Sequence, residues 1–224
     1  AIGNVLGSNI ANIGLVLCII TIIYPISLKQ RFYKTDFPLL IMSTVLFYYV
    51  IYTKSQISRI EGLILVIAII SILFYLFFYQ KNDHSELSED TDKDKISIFK
   101  SFLFILFSGS LLWLGSETLI KSAVSVANKL DISERIISIT MVAIGTSIPE
   151  LAASVVASLN KQNDLSIGNL IGSNIFNLLV VIGITSSILP INGIDKSIIN
   201  NDMLWVLLFS VIILPVSYTH LTLP

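Results

Sequence analysis

Long windows without a formal charge constrain this chain more than any other feature. They are Ala1–Leu28, Phe37–Thr53, Gly62–Gln80, Ser101–Ser116, Ile136–Pro149, Leu165–Ile194 and everything after Asp202. A helix needs about 20 mostly apolar residues, at roughly 1.5 Å rise each, to cross a bilayer core. Backbone in hydrocarbon must satisfy its own hydrogen bonds, which leaves helices or closed barrels. The windows are apolar throughout and lack the alternation of barrel strands. Seven helical spans follow, at about 2–24, 37–53, 62–80, 99–127, 134–159, 165–189 and 200–215. The expected fold class is an all-α polytopic membrane protein, integral and multi-pass.

Composition then excludes other classes. Only 13% of the 224 residues are charged, against about 25% in soluble domains. Ten of the charges sit in Lys81–Lys100. That pattern argues against an ordinary soluble enzyme and leaves no basic face for nucleic acid. An intramembrane hydrolase is disfavoured too, because no span holds a His and no two spans each offer a buried Asp. Cys18 is the only cysteine, so an internal disulfide is impossible. Nothing speaks to oligomeric state. The acidic stretch at 81–98 reads as a hydrophilic loop between two halves, 1–80 and 99–215. The last nine residues, VSYTHLTLP at 216–224, read as a non-native, adapter-derived tail. Counting Lys and Arg on alternate connectors places eight on the side of the acidic loop and six opposite, which favours that side as cytoplasmic.

The sharpest feature is a repeat. Residues 1–12 read AIGNVLGSNIAN and residues 166–177 read SIGNLIGSNIFN, identical at eight of twelve positions at an offset of 165. One copy opens span one and the other opens span six. An odd number of crossings separates them, so they enter the membrane from opposite sides. Inverted repeats of this kind place substrate and ion sites near the bilayer midplane, between the halves. Gly3, Gly7, Gly168 and Gly172 would let neighbouring helices approach closely. Packing alone does not explain Asn9, Asn12, Asn174 and Asn177, since amides at membrane depth are costly unless paired or functional.

Span five carries the second motif, AIGTSIPE at Ala143–Glu150. Pro149 removes a helical hydrogen bond and Gly145 is a weak helix former, so an unwound or kinked segment is expected there. Freed carbonyls, such as that of Ala143, can face a cation, and Thr146 and Ser147 add hydroxyls. Glu150 adds a carboxylate with fourteen uncharged residues before it and ten after. Oxygen donors of this mix suit a hard cation such as Ca²⁺, which takes six to eight oxygens at about 2.3–2.6 Å, or Na⁺. The spans hold no cluster of His, Cys or Met for a softer metal.

GTSIPE at Gly145–Glu150 followed by GSNIFN at Gly172–Asn177 resembles the α-repeat signature of the cation/calcium exchangers, in particular prokaryotic sodium/calcium exchangers. The resemblance covers nearly all of 1–215. It implies ten helices in two inverted halves of five, the present spans standing for the third to the ninth. The first two helices and the tenth would then lie outside this sequence, and the piece alone would not transport. It implies a metal site in which Glu150 is the main calcium carboxylate. Thr146 and the Ala143 carbonyl add oxygens for calcium, and Ser147 and Ser173 for sodium. Asn177 and Asn12 line the site and Ser8 mirrors Ser173. It implies an antiporter rather than an enzyme, working by alternating access, with transported Ca²⁺ and Na⁺ and no cofactor. Its partners would be small inorganic cations and the lipid bilayer, in a prokaryotic plasma membrane. Many members carry Asp where Asn177 stands, which bears on potassium dependence and ion stoichiometry. Potassium or proton coupling is the alternative, the proton one disfavoured by Leu151 after Glu150 where proton/calcium members usually carry His, and a passive cation channel is a more distant one.

Overall fold

The computed structural model describes residues 2–23, 28–83, 98–131 and 134–220, without the side chains of 53, 54, 79–83, 98, 123, 134–144 and 216–220. The acidic loop lies almost wholly outside the described residues.

Among the described residues, seven helical runs occupy the expected places. We label them α1 (2–23), α2 (32–54), α3 (Arg59–Asp83), α4 (Ile98–Lys129), α5 (Glu134–Leu159), α6 (163–188) and α7 (198–220). Six of them are long and apolar enough to cross a membrane, and α5 is 26 residues long. Most ends extend past the charge-free windows, and Lys34 and Arg59 in the added turns are exposed. The run α7 continues to His220, through the first five residues of the segment read as a tail.

Four runs contain a π turn. In α1 it covers Asn12–Val16 and in α6 Asn177–Val181, again at an offset of 165. In α2 it covers Phe32–Asp36 and in α7 Ile198–Asp202, at an offset of 166. The repeat visible in sequence over twelve residues therefore extends to a second pair of helices. Asp36 matches Asp202 there, and buried Thr44 matches buried Ser210.

The core forms where α1 and α6 cross, flanked by α2 and α7. Leu6, Ile20, Leu178, Leu179, Phe47 and Met203 are fully buried in it. The run α3 packs along the second half of α6, α5 lies against both α1 and α6, and α4 rests on α5. The connectors pair by side. Ile57 and Ile191 exchange backbone hydrogen bonds at 2.8 and 3.0 Å, joining the α2–α3 and α6–α7 connectors. Lys29 pairs with Asp164, joining the α1–α2 connector to the start of α6.

Candidate cation site

The site grows from the crossing of the two repeat copies. Ser8 and Ser173 each donate to the carbonyl three residues back, Val5 and Leu170, both at 3.0 Å. Asn9 donates to the Asn174 carbonyl at 3.1 Å, and Asn174 to the Asn9 carbonyl at 3.3 Å. Asn12 donates to Ser173 Oγ at 3.1 Å and to Asn174 Oδ1 at 2.9 Å. Its mate Asn177 donates to Ser8 Oγ at 3.3 Å and to Asn9 Oδ1 at 3.0 Å. Every bond has its counterpart 165 residues away, so the network straddles a pseudo-twofold axis. It also explains how four amides are tolerated at membrane depth: each donates to a partner of its own.

The run α5 brings the carboxylate. Contrary to the expected unwinding, the helix continues through Pro149. The carbonyl that Pro149 cannot serve is that of Gly145, and Ser116 on α4 donates to it at 2.9 Å. Ser147, buried, reaches the Ser8 carbonyl at 3.4 Å and ties α5 to α1. On the α6 side the joint is a buried seam. Ser158 donates to Ser166 Oγ at 3.0 Å, Ser166 to the Ser154 carbonyl at 3.0 Å, and Asn169 to Ser154 Oγ at 2.9 Å.

Glu150 is half-buried on this scaffold, and its Oε2 is buried without a hydrogen-bond partner. Asn12 Oδ1 is in the same condition. Glu150 shares a cavity of about 360 Å³ with Gly168, Asn169, Gly172, Ser173, Phe176 and Asn177. Among the described residues no basic side chain pairs with it. A larger cavity, about 410 Å³, lies between α2 and α6. Its carboxylates are already matched, Asp164 by Lys29 and Asp36 by Arg31 at 3.9 Å. The carboxylate oxygen without a partner therefore belongs to the Glu150 cavity, whereas the larger cavity holds a neutral orphan, Asn163 Oδ1.

Glu150, Ser173 and Asn177 line one cavity, while Ser8, Ser147 and Asn12 reach it through one hydrogen bond or one helix contact. Thr146 is exposed and does not line this cavity. Ala143 lies two turns before Glu150 in α5, its side chain outside the described residues. Gly168 and Gly172 line the cavity rather than a tight helix contact, and a Cβ at Gly3, Gly168 or Gly172 would meet nothing within 4 Å. Among the described residues no three His, Cys, Asp or Glu side chains cluster. Asn9, Asn174 and Ser116 were not among the expected site residues. Asn9 and Asn174 did carry a signal, the cost of an amide in lipid.

The profile of a family described as "Sodium/calcium exchanger protein" matches residues 1–78 and 100–224. The chain is similar to CaxA, an antiporter candidate of Alkalimonas amylolytica, with 36% identity over 195 residues, 85% of this chain and 61% of that protein. It is similar to the inner membrane protein YrbG of Escherichia coli, with 28% identity over 219 residues, 95% of this chain and 67% of that one. Among solved structures it is similar to the sodium-calcium exchanger NCX_Mj, with a TM-score of 0.74 and 27% identity over 97% of this chain and 68% of that chain. The chain thus spans somewhat under two thirds to about two thirds of the length of these proteins.

Proposed function

We propose, from the premise that this chain belongs to the sodium/calcium exchanger protein family, that the full-length protein exchanges calcium for sodium across a membrane by alternating access. One observation carries the reading. A carboxylate oxygen, Glu150 Oε2, is buried without a donor beside a cavity lined by Gly172, Ser173 and Asn177 of the second repeat copy, two of which are hydrogen-bonded to the first copy. An uncompensated carboxylate at membrane depth is expensive, and a cation offsets that cost when it binds. Calcium collects carboxylate, amide, hydroxyl and carbonyl oxygens. In this reading Glu150, Asn12, Asn177, Ser173 and Ser147 supply them, and Ser8 holds Asn177 in place. Sodium competes for part of the same set, so the gradient of one ion drives the other.

The test uses the full-length protein in lipid vesicles loaded with sodium or with choline. Calcium uptake is expected only against sodium, and Glu150→Gln is expected to abolish it. Calcium entry that persists when the opposing sodium is removed would turn the reading into a channel. Uptake driven only by potassium or proton gradients would reassign the coupling ion.

A further inference from the structure

Hydrogen-bond accounting at the crossing decides which way its side-chain amides face. An amide has a nitrogen end that donates and an oxygen end that accepts, and only its partners tell the two apart. Two backbone carbonyls, which can only accept, fix the first amides. The carbonyl of Asn174 takes a hydrogen from Asn9 Nδ2, and the carbonyl of Asn9 takes one from Asn174 Nδ2. Those contacts turn Asn9 Oδ1 toward Asn177 and Asn174 Oδ1 toward Asn12. The two oxygens need donors, and Asn177 Nδ2 and Asn12 Nδ2 supply them. The second hydrogen of each goes to a serine hydroxyl, Ser8 or Ser173. Both nitrogen ends are then fully engaged. The oxygen end of Asn12 is left buried without a partner, and Asn177 opens on the cavity beside Glu150.

We infer that Asn9 and Asn174 are positioning residues that hold the amide oxygens, rather than the amide hydrogens, of Asn177 and Asn12 toward the cation. The inference rests on the cation-exchange reading above. A reversed amide would present two N–H groups to a cation and repel it. Asn9 therefore governs the Asn177 ligand and Asn174 governs the Asn12 ligand, each from the opposite copy of the repeat.

A carboxylate has two oxygens and no wrong face, and this supplies the test. In the full-length protein, Asn9→Leu is expected to raise the half-saturating calcium concentration about 10-fold to 100-fold, the range for lost outer-sphere partners of metal ligands, with maximal turnover changed far less. In the Asn177→Asp background the same Asn9→Leu change is expected to cost less than about threefold, because orientation no longer matters. The Asn12→Asp background should give no such relief to Asn9→Leu, and should relieve Asn174→Leu instead. Should Asn9→Leu fail to fold, the smaller and polar Asn9→Ser enters the same cycle. Equal penalties in all backgrounds overturn the positioning role while leaving the exchange reading intact. Loss of sodium-dependent calcium flux in the unmodified protein overturns the exchange reading itself.

Discussion

Pro149 leaves the Gly145 carbonyl without its helical donor, and Ser116 on α4 replaces that donor at 2.9 Å in a buried position. Removing the hydroxyl strands a buried acceptor, which costs about 1–3 kcal/mol. Ser116→Ala is therefore expected to lower thermal stability in detergent by that amount, and Ser116→Thr, which keeps a hydroxyl, by less. A melting curve of each variant checks it, and equal stability of Ser116→Ala and the parent would refute the role. Glu150 stood out in sequence because the apolar run Leu151–Leu159 that follows it argues against a helix end at the surface. Ser116 did not, since a serine in an apolar helix means little until its partner 29 residues away is known. Asn9 and Asn174 fell between the two. The repeat displayed their identity, but only the crossing of α1 and α6 shows that each amide is aimed at the other's backbone.

At the level of helices, a close backbone approach occurs where α3 crosses α6, and not at Gly3, Gly168 or Gly172 of the repeat. A Cβ on Gly62 would lie 2.7 Å from the Ser187 nitrogen and 2.8 Å from the Gly183 carbonyl oxygen. Backbone atoms cannot swing aside, so Gly62→Ala is expected to destabilise by about 1–3 kcal/mol, the usual cost of overpacking. Gly109 on α4 meets nothing within 4 Å, and Gly109→Ala should be neutral or gain up to about 1 kcal/mol from helix propensity. Paired melts of the two variants decide the matter. The start of α3 shows a second local device. Glu61 Oε2 accepts from the Ser58 N–H at 2.7 Å, and Ser58 Oγ accepts from the Glu61 N–H at 3.3 Å, a capping box. Helix number and approximate bounds were readable from charge-free windows, because lipid enforces them. The π turns were not. Those in α2 and α7 share Asp36 and Asp202 but otherwise differ, FYKTD against IINND. With one shared residue in five, these two turns have almost no residue pattern to announce their common geometry.

For the whole molecule, inversion rests on counting crossings, and two contacts supply an independent check of the count. Alternating passages place the α1–α2 and α5–α6 connectors on one side, and the α2–α3 and α6–α7 connectors on the other. The Lys29–Asp164 pair joins elements of the first side. The Ile57–Ile191 bridge joins elements of the second. A miscounted span would have set the partners of one of these contacts on opposite faces of the bilayer. The same logic predicts reagent access. In a Cys18→Ala background of the full-length protein, Lys29→Cys and Lys161→Cys should react with a membrane-impermeant thiol reagent from one side only. Gln56→Cys and Asn192→Cys, whose parent residues are exposed in the opposite connectors, should react only from the other. Labelling of Lys29→Cys and Lys161→Cys from opposite sides would place both repeat copies in the same orientation.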